Sequence, residues 1–410
     1  MTAPNDTARE ASLLFVAPLV ALAMGHVLSN AVRTLPAIAA DLLGRDLGVT
    51  AQGIASLTGA YHFAFALAQI PIGVALDRFG VRRVSLTLLS IVAVGSVIAA
   101  LAGGPAGFLI GQVVLGAGCG GMLICPMTLA AKTLTPARFG LWSGLIQALG
   151  NCGMLLSASP LALLVESSGW RAGYWTCLAI ALLVLGLVAA LVRDAPAAAP
   201  ERSLVGDARE VLRLAASPLL RGPVAITFAS FAIVIGVRGL WGGPWLMEVK
   251  DLSRIEAGNV LLIATLSLCL GPAFWGVVDR QIGRRRALLA FGHLAAAACL
   301  VLVVAGGPGG PLGATSAAAD TALLFLFGLL VSVQPLAFAL TRAAVPPAQV
   351  GKAMSAVNMS FFLGAAILQA ASGPVVAMAG IGSGLLFFSA ATVVCTAWFL
   401  VATRPGAPGR

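Results

Sequence analysis

The sequence predicts an all-α integral membrane protein whose twelve spanning helices form two six-helix bundles related by pseudo-symmetry. Three observations lead there. Long apolar runs recur along all 410 residues, they group as six and six around a polar break, and one charged phrase occurs twice, nearly half a chain apart. Apolar residues make up 59% of the chain and the mean hydropathy is +0.99, far above the balance of a soluble domain. A run such as VSLTLLSIVAVGSVIAALAGG at 84–104 supplies the ~20 residues a helix needs to cross ~30 Å of hydrocarbon. The runs are too long and continuous for barrel strands, and a helix satisfies its own backbone in lipid.

In chain order the spans read as 12–40, 52–76, 84–103, 107–131, 139–163 and 172–193, then 223–247, 257–278, 286–306, 319–343, 352–377 and 381–403. The first ten residues are polar and lead into a long apolar stretch without a small-residue cleavage site, which reads as a retained helix. The break at 193–222 is rich in Pro, Ala and charge. Its middle, AREVLRLAA, carries apolar residues at helical spacing and reads either as a surface helix or as a solvated linker with a turn or two. The organisation is then an N-terminal bundle over 1–193, a cytoplasmic linker over 194–222 and a C-terminal bundle over 223–410.

Lys and Arg set the orientation. With a cytoplasmic N-terminus, Arg45, Arg171, Lys250 and Arg254 fall outside, Arg33 and Arg238 lie within spans, and the rest of the 25 basic residues face the cytoplasm. Both termini are therefore expected inside, in a cell inner membrane. The net charge of +10 reflects loops facing anionic lipid, so no nucleic-acid surface is needed to explain it. The seven cysteines sit in or beside apolar segments with no CxxC pair, as small core residues do, and no metal is expected.

The repeated phrase is GVALDRFGVRR at 73–83 and GPAFWGVVDRQIGRRR at 271–286, the second with one extra residue before its glycine. Both copies fall between the second and third helix of their half. Here the chain resembles the major facilitator superfamily of transporters, whose signature is a G-x-x-x-D-R-x-G-x-R-R-like loop in this place. The resemblance covers essentially the whole chain and implies a secondary transporter with its substrate site near mid-membrane. It also implies a cytoplasmic latch. Asp77 and Asp279 can cap a helix start or pair with an Arg, so Asp77, Arg78, Arg82, Asp279, Arg280 and Arg284 are the gating candidates. The alternative is that these Arg residues only enforce topology. CPMTLAAKTLTPARFG at 125–140 and QPLAFALTRAAVPPAQVG at 334–351 add to the internal symmetry. Two family marks are missing: Gln112 stands where the fourth helix often has a basic residue, and GLIQALGNCGMLLSASP at 144–160 does not match the G-P-x-x-G-G of drug–proton antiporters.

Polar residues within spans are few, and each is a candidate for the substrate site. His26, Ser29, Asn30 and Arg33 share one face of the first helix, and His62 and Gln69 share a face of the second beside Tyr61. Gln147 and Asn151 lie one turn apart in the fifth. The second half offers Arg238 with Trp241 and Trp245, then Gln334, and Ser355 with Asn358. For the amides the competing reading is interhelical hydrogen bonding, and for the histidines packing. Burying a guanidinium is expensive, so the Arg pair points to an anionic substrate. The rival is local pairing, Arg33 with Asp41 and Arg238 with Glu248, closing an outer gate. All fifteen acidic residues fall in loops or at helix ends of these spans. Proton coupling would therefore use His26, His62, an end-of-helix acid or the substrate's own titration, and exchange for a counter-anion is the other route.

Enzyme readings lack their residues: there is no Walker-type loop, HExxH, GxSxG or close acidic pair, and no cofactor is expected. Three functions stay open: a secondary transporter of a small organic or phosphorylated anion, an effluxer of drugs, siderophores or other amphipathic compounds, and a non-transporting sensor on the same fold. Since one chain holds both halves, a monomer in the lipid bilayer is expected.

Overall fold

The structure, a computed structural model, describes residues 4–49, 51–158, 160–193 and 204–404. The chain separates into two compact units, Met1–Thr133 with Leu149–Arg209 and Leu134–Ala148 with Glu210–Arg410. Both are helical, and there is no strand among the described residues.

The first unit contains α1 (Pro4–Ile38), α2 (Ala40–Leu47), α3 (Ala51–Ala100), α4 (Pro105–Cys119), α5 (Ile124–Thr133), the later part of α6 (Pro136–Ala158), α7 (Pro160–Ser168) and α8 (Trp170–Leu191). The 50-residue α3 holds two spans, because the chain breaks at Gly80, where φ is 82° and ψ 167°. Only glycine adopts such angles without strain, which is why the repeated loop carries one. The fourth span is interrupted at 120–123 and resumes in α5 at the CPMTL motif. Small residues let the third and fourth spans press together: a methyl group on Gly111 would lie 2.9 Å from the Ala99 backbone, and one on Gly118 2.8 Å from Val92.

The second unit contains the start of α6, most of α9 (Leu204–Ala216) and α10 (Arg221–Ile235). Two π-helical turns, Gly236–Trp241 and Trp245–Val249, flank the short α11 (Gly242–Pro244), and α12 (Arg254–Ile282) and α13 (Arg285–Ala305) follow. The unit closes with α14 (Ala317–Val331), α15 (Pro335–Ala344), α16 (Val350–Ala379) and α17 (Ile381–Ala402). The amphipathic stretch of the linker is thus a helix of 13 residues. Gly283, the counterpart of Gly80, ends α12 in the left-handed region with φ 66°. The tenth span breaks at 332–334 and resumes at Pro335, repeating the interruption of the fourth.

Ten helical stretches are long and apolar enough to cross a membrane among the described residues. One of them, Gly59–Ala100, contains the break at Gly80 and so counts as two passes. α6 with α7 provides the fifth, and together these make the expected twelve. Leucines and phenylalanines such as Phe63, Leu67, Leu183 and Phe291 are exposed on the helix exteriors, as hydrocarbon surroundings allow.

The end of each unit opposite its Asp-Arg loop carries a charged clasp. In the first, Asp46 accepts from Trp170 Nε1 at 2.9 Å and from Arg171 Nη1 at 2.8 Å, while Arg171 Nη2 donates to the Ala102 carbonyl at 3.0 Å. The indole N–H and the guanidinium hold the Asp46 carboxyl below the usual carboxylate range. In the second, Lys250 Nζ sits among Asp320 Oδ2 (2.8 Å), Gly306 O (2.7 Å), Thr315 O (3.0 Å) and Thr315 Oγ1 (2.9 Å). Both clasps bind a backbone carbonyl just past the third helix of their half, Ala102 and Gly306, near a helix C-terminus, where a cation is favoured.

Helix α16 meets α10 at Gly364, where any Cβ would collide with the Phe228 carbonyl. Gly364→Val should therefore lower the melting temperature of the purified protein, through overpacking worth about 1–3 kcal/mol. Gly373→Ala, on the same helix with nothing within 4 Å, should not. A Gly364→Val variant that melts with wild type would show that the close approach does not exist.

Candidate functional site

In the first unit the expected face of α1 is a hydrogen-bonded row. Arg33 Nη2 donates to Asn30 Oδ1, and Asn30 Nδ2 donates to the Gly150 carbonyl of α6 at 2.9 Å and lies 3.5 Å from His26 Nε2. Asn30 thus carries the position of α6 to the guanidinium. The row exists because α6 is glycine at two contacts: a Cβ on Gly150 would strike the His26 ring, and one on Gly153 the Val27 carbonyl. His26 and Asn30 are buried and Arg33 half-buried. Tyr61, buried, reaches the Ser29 carbonyl with its hydroxyl at 3.5 Å and meets the half-buried His62 edge-on at 5.3 Å.

Other candidates of this half have evident structural partners. Gln69 donates to the Gly120 carbonyl at 2.9 Å, serving the backbone at the interruption of the fourth span. Gln112 donates to the Tyr174 hydroxyl at 2.9 Å, inside an aromatic group with Phe108 and Trp170. Asn151 is buried in the first unit, whereas the half-buried Gln147 groups with the second.

In the second unit Arg238 lies on the first π-helical turn. Pro244 has no N–H to give, and the Gly242 N–H bonds Val237 O, five residues back, in place of the α-helical partner. Arg238 Nε donates to Thr265 Oγ1 of α12 at 2.9 Å, and Thr265 in turn donates to the Leu261 carbonyl at 2.8 Å. Trp241, half-buried, donates from Nε1 to Ser372 Oγ of α16 at 3.0 Å. Gln334 donates to the Ser230 carbonyl at 2.9 Å, and the hydroxyl of Ser230 lies 2.6 Å from His293 Nε2. Asn358 is buried in α16. Trp245 belongs to the hydrophobic core, wedged against Gly307 and Gly382. Glu248 is exposed, and the Asp41 side chain lies outside the described residues.

Thr265, Ser372, Ser230 and His293 were not singled out by sequence. A lone hydroxyl in an apolar helix carries no signal of its direction, and only the packing of α12, α13 and α16 on α10 assigns these partners.

The two Asp-Arg loops differ in their contacts. Asp77, almost buried, pairs with Lys132 at 3.5 Å, and Arg82 Nη2 donates to the Ala189 carbonyl at 3.0 Å. Arg78 is half-buried. Asp279 is buried and receives Arg285 Nε at 3.0 Å on both oxygens, while Arg280 and Arg284 are exposed. The Asp279 carboxylate lies against Gly140, near the N-terminus of α6, where a Cβ would collide with it and where negative charge is favoured. Around it, Gly144 packs on the Pro272 carbonyl, Gly276 on Leu141, and Arg342 Nη2 donates to the Leu134 carbonyl at 3.0 Å. Arg285 and Arg342, absent from the sequence-based gating set, are what the second loop uses.

If Asp279 secures the start of α6, Asp279→Asn should speed amide hydrogen exchange across 136–144 by about tenfold or more, because Arg285 loses its buried partner. Arg284→Gln should leave that exchange unchanged. Equal protection in wild type and Asp279→Asn would remove the latch.

The family model for the Major Facilitator Superfamily matches residues 22–332 and 242–410. A probable sulfoacetate transporter of Cupriavidus necator is 24% identical over 283 residues, 66% of this chain and 65% of that protein. A putative niacin/nicotinamide transporter of Bacillus subtilis is 27% identical over 53% of this chain and 55% of its own. The tetracenomycin C resistance and export protein of Streptomyces glaucescens is 26% identical over 65% and 59%. Each alignment thus spans less than two thirds of the relative's length. Among solved structures, the E. coli fucose:proton symporter superposes with a TM-score of 0.78 at 17% identity, covering 95% of this chain and 100% of that one. The human organic anion transporter gives 0.68 at 15%, covering 94% and 98%. These structures establish the fold alone. The family match spans the chain from the first helix to the last residue, over the same two half-repeats and signature loops that the sequence displays, and the chain belongs to the Major Facilitator Superfamily of membrane transporters.

Proposed function

We propose that the protein is a secondary transporter of a small organic or phosphorylated anion, working by alternating access in a cell inner membrane with its Asp-Arg loops and termini cytoplasmic. The observation that carries this reading is the pair of arginines within the first span of each unit, each held by a side chain of the site: Arg33 donates to the Asn30 amide and Arg238 to the Thr265 hydroxyl. Burying a guanidinium in a span is costly unless it serves a site. The buried acids among the described residues, Asp279 and Asp320, are engaged by Arg285 and Lys250. A carboxylate, sulfonate or phosphate on the substrate suits such guanidiniums through forked hydrogen bonds that Lys does not reproduce. His26, Asn30, Tyr61, His62, Gln147, Asn151, Trp241, Gln334 and Asn358 would supply the polar and aromatic surroundings. Coupling would be to protons or to a counter-anion.

The relative named for sulfoacetate accords with this reading. The one named for tetracenomycin C resistance and export favours a second, efflux of amphipathic compounds. Uptake and binding in proteoliposomes separate the two. The anion reading requires a charged ligand to be handled far better than its neutral amide, and Arg33→Lys and Arg238→Lys each to lose affinity for the anion by about 10–100-fold, as expected for a charge-assisted bond. Equal handling of charged and neutral forms by wild type would leave the efflux reading.

Thr265 offers a finer check. Thr265→Val keeps the shape and removes the acceptor, so it should weaken anion binding by about five- to tenfold, a net hydrogen bond of about 1 kcal/mol. Thr265→Ser should restore it. On an Arg238→Gln background neither change should matter. Weakening by Thr265→Val that persists on that background would mean that the residue acts elsewhere.

A further inference from the structure

Along α10 and the first π-turn, Phe228, Phe231, Ile235 and Arg238 are half-buried, while every other residue from 226 to 237 is buried. These four therefore mark one face of the seventh span. Arg238 tells what that face meets: a guanidinium in mid-span turns toward protein interior or water, not hydrocarbon. Phe231 shares the face two turns earlier, and its ring pairs with Phe362 of α16 at 5.1 Å between centroids, tilted by 51°. Phe362 is half-buried as well. Three residues beyond Arg238, the Trp241 ring is held in place by its bond to Ser372.

Resting on the anion reading above, we propose that the substrate is an aromatic anion, its charged group on Arg238 and its ring against the Phe231–Phe362 pair. Phe231 packs on the hydrophobic core and both rings are half-buried, so a flat ring laid against them extends an aromatic cluster and is spared hydration. Seven residues of helix separate Phe231 from Arg238 by ~10 Å along the axis. Long helical side chains lean toward the N-terminus, which brings the guanidinium back over the intervening turn. A single ring bearing its charged group directly, as in an aromatic carboxylate, fits that reach.

The test uses three probes of one size on the purified full-length protein: benzoate, cyclohexanecarboxylate and benzamide, with binding measured by calorimetry. Wild type should bind benzoate about five- to tenfold more tightly than cyclohexanecarboxylate, the scale of an aromatic contact beyond plain burial. Phe231→Leu and Phe362→Leu should bring that ratio close to one while leaving cyclohexanecarboxylate affinity within about twofold. Phe291→Leu, on an exposed exterior position, should leave the ratio intact and controls for general destabilisation. If both anions exceed benzamide but do not differ, or if the ratio survives both Phe variants, the aromatic inference falls and the anion reading stands. If benzamide binds as well as benzoate, or benzoate does not bind at millimolar concentration, the aromatic inference falls too. Only parity of benzamide with benzoate also removes the anion reading.

Discussion

A charge or a broken backbone hydrogen bond inside a hydrocarbon layer has no water to turn to, and nearly every unusual residue in this chain answers that constraint. The buried carboxylates, Asp279 and Asp320, each have a cation within 3.0 Å. The buried histidine of the ninth span has the Ser230 hydroxyl on one nitrogen and the Leu289 carbonyl 2.8 Å from the other. Where the fourth and tenth spans are interrupted, side chains from neighbouring helices cover exposed carbonyls, Gln69 at Gly120 and Trp275 at Leu329. These polar groups act as connectors between helices, a role that apolar packing in lipid cannot fill with the same direction.

Glycine supplies the other half of the architecture. Polar connections of about 3 Å between helices require close backbones, and the glycines lie where those connections are made. Gly150 and Gly153 admit the His26–Asn30 row, Gly140 admits the Asp279 carboxylate, and Gly364 brings α16 onto the helix that bears Arg238. The arginine of each unit is thus set by packing several residues away from it, which ties its position to the tightness of the fold.

Most of the fold was legible in the sequence because lipid imposes a length and a composition on every span. The twelve passes and the two loops follow from that, whereas the linker read equally as a surface helix or a solvated segment. Side-chain direction was legible only where helical spacing repeats it, as for His26, Asn30 and Arg33. Thr265 gave no signal, since a hydroxyl bonds its own helix as readily as a neighbour. The π-helical turns around Arg238 were hidden because their cause, Pro244 and four glycines, reads equally well as a simple kink. Arg285, not Arg280 or Arg284, meets Asp279 because the left-handed Gly283 turns the run of arginines, and spacing alone does not show which one comes back. Asp320 looked like an ordinary helix-end acid until Lys250 was brought to it from the end of another span.

The two clasps at the ends remote from the Asp-Arg loops are built alike but shielded differently. Arg171 and Asp46 are 42% and 45% exposed, whereas Lys250 and Asp320 are 5% and 0% exposed. Mobile ions reach the first pair and screen it, and they do not reach the second. Lys250, ringed by four oxygens, is in effect a cation bound to its site by a covalent tether, which dilution does not release and competing salt does not displace. A change in the ionic strength around those ends would therefore be felt by one half of the molecule and not by the other, an asymmetry written into a chain that otherwise repeats itself.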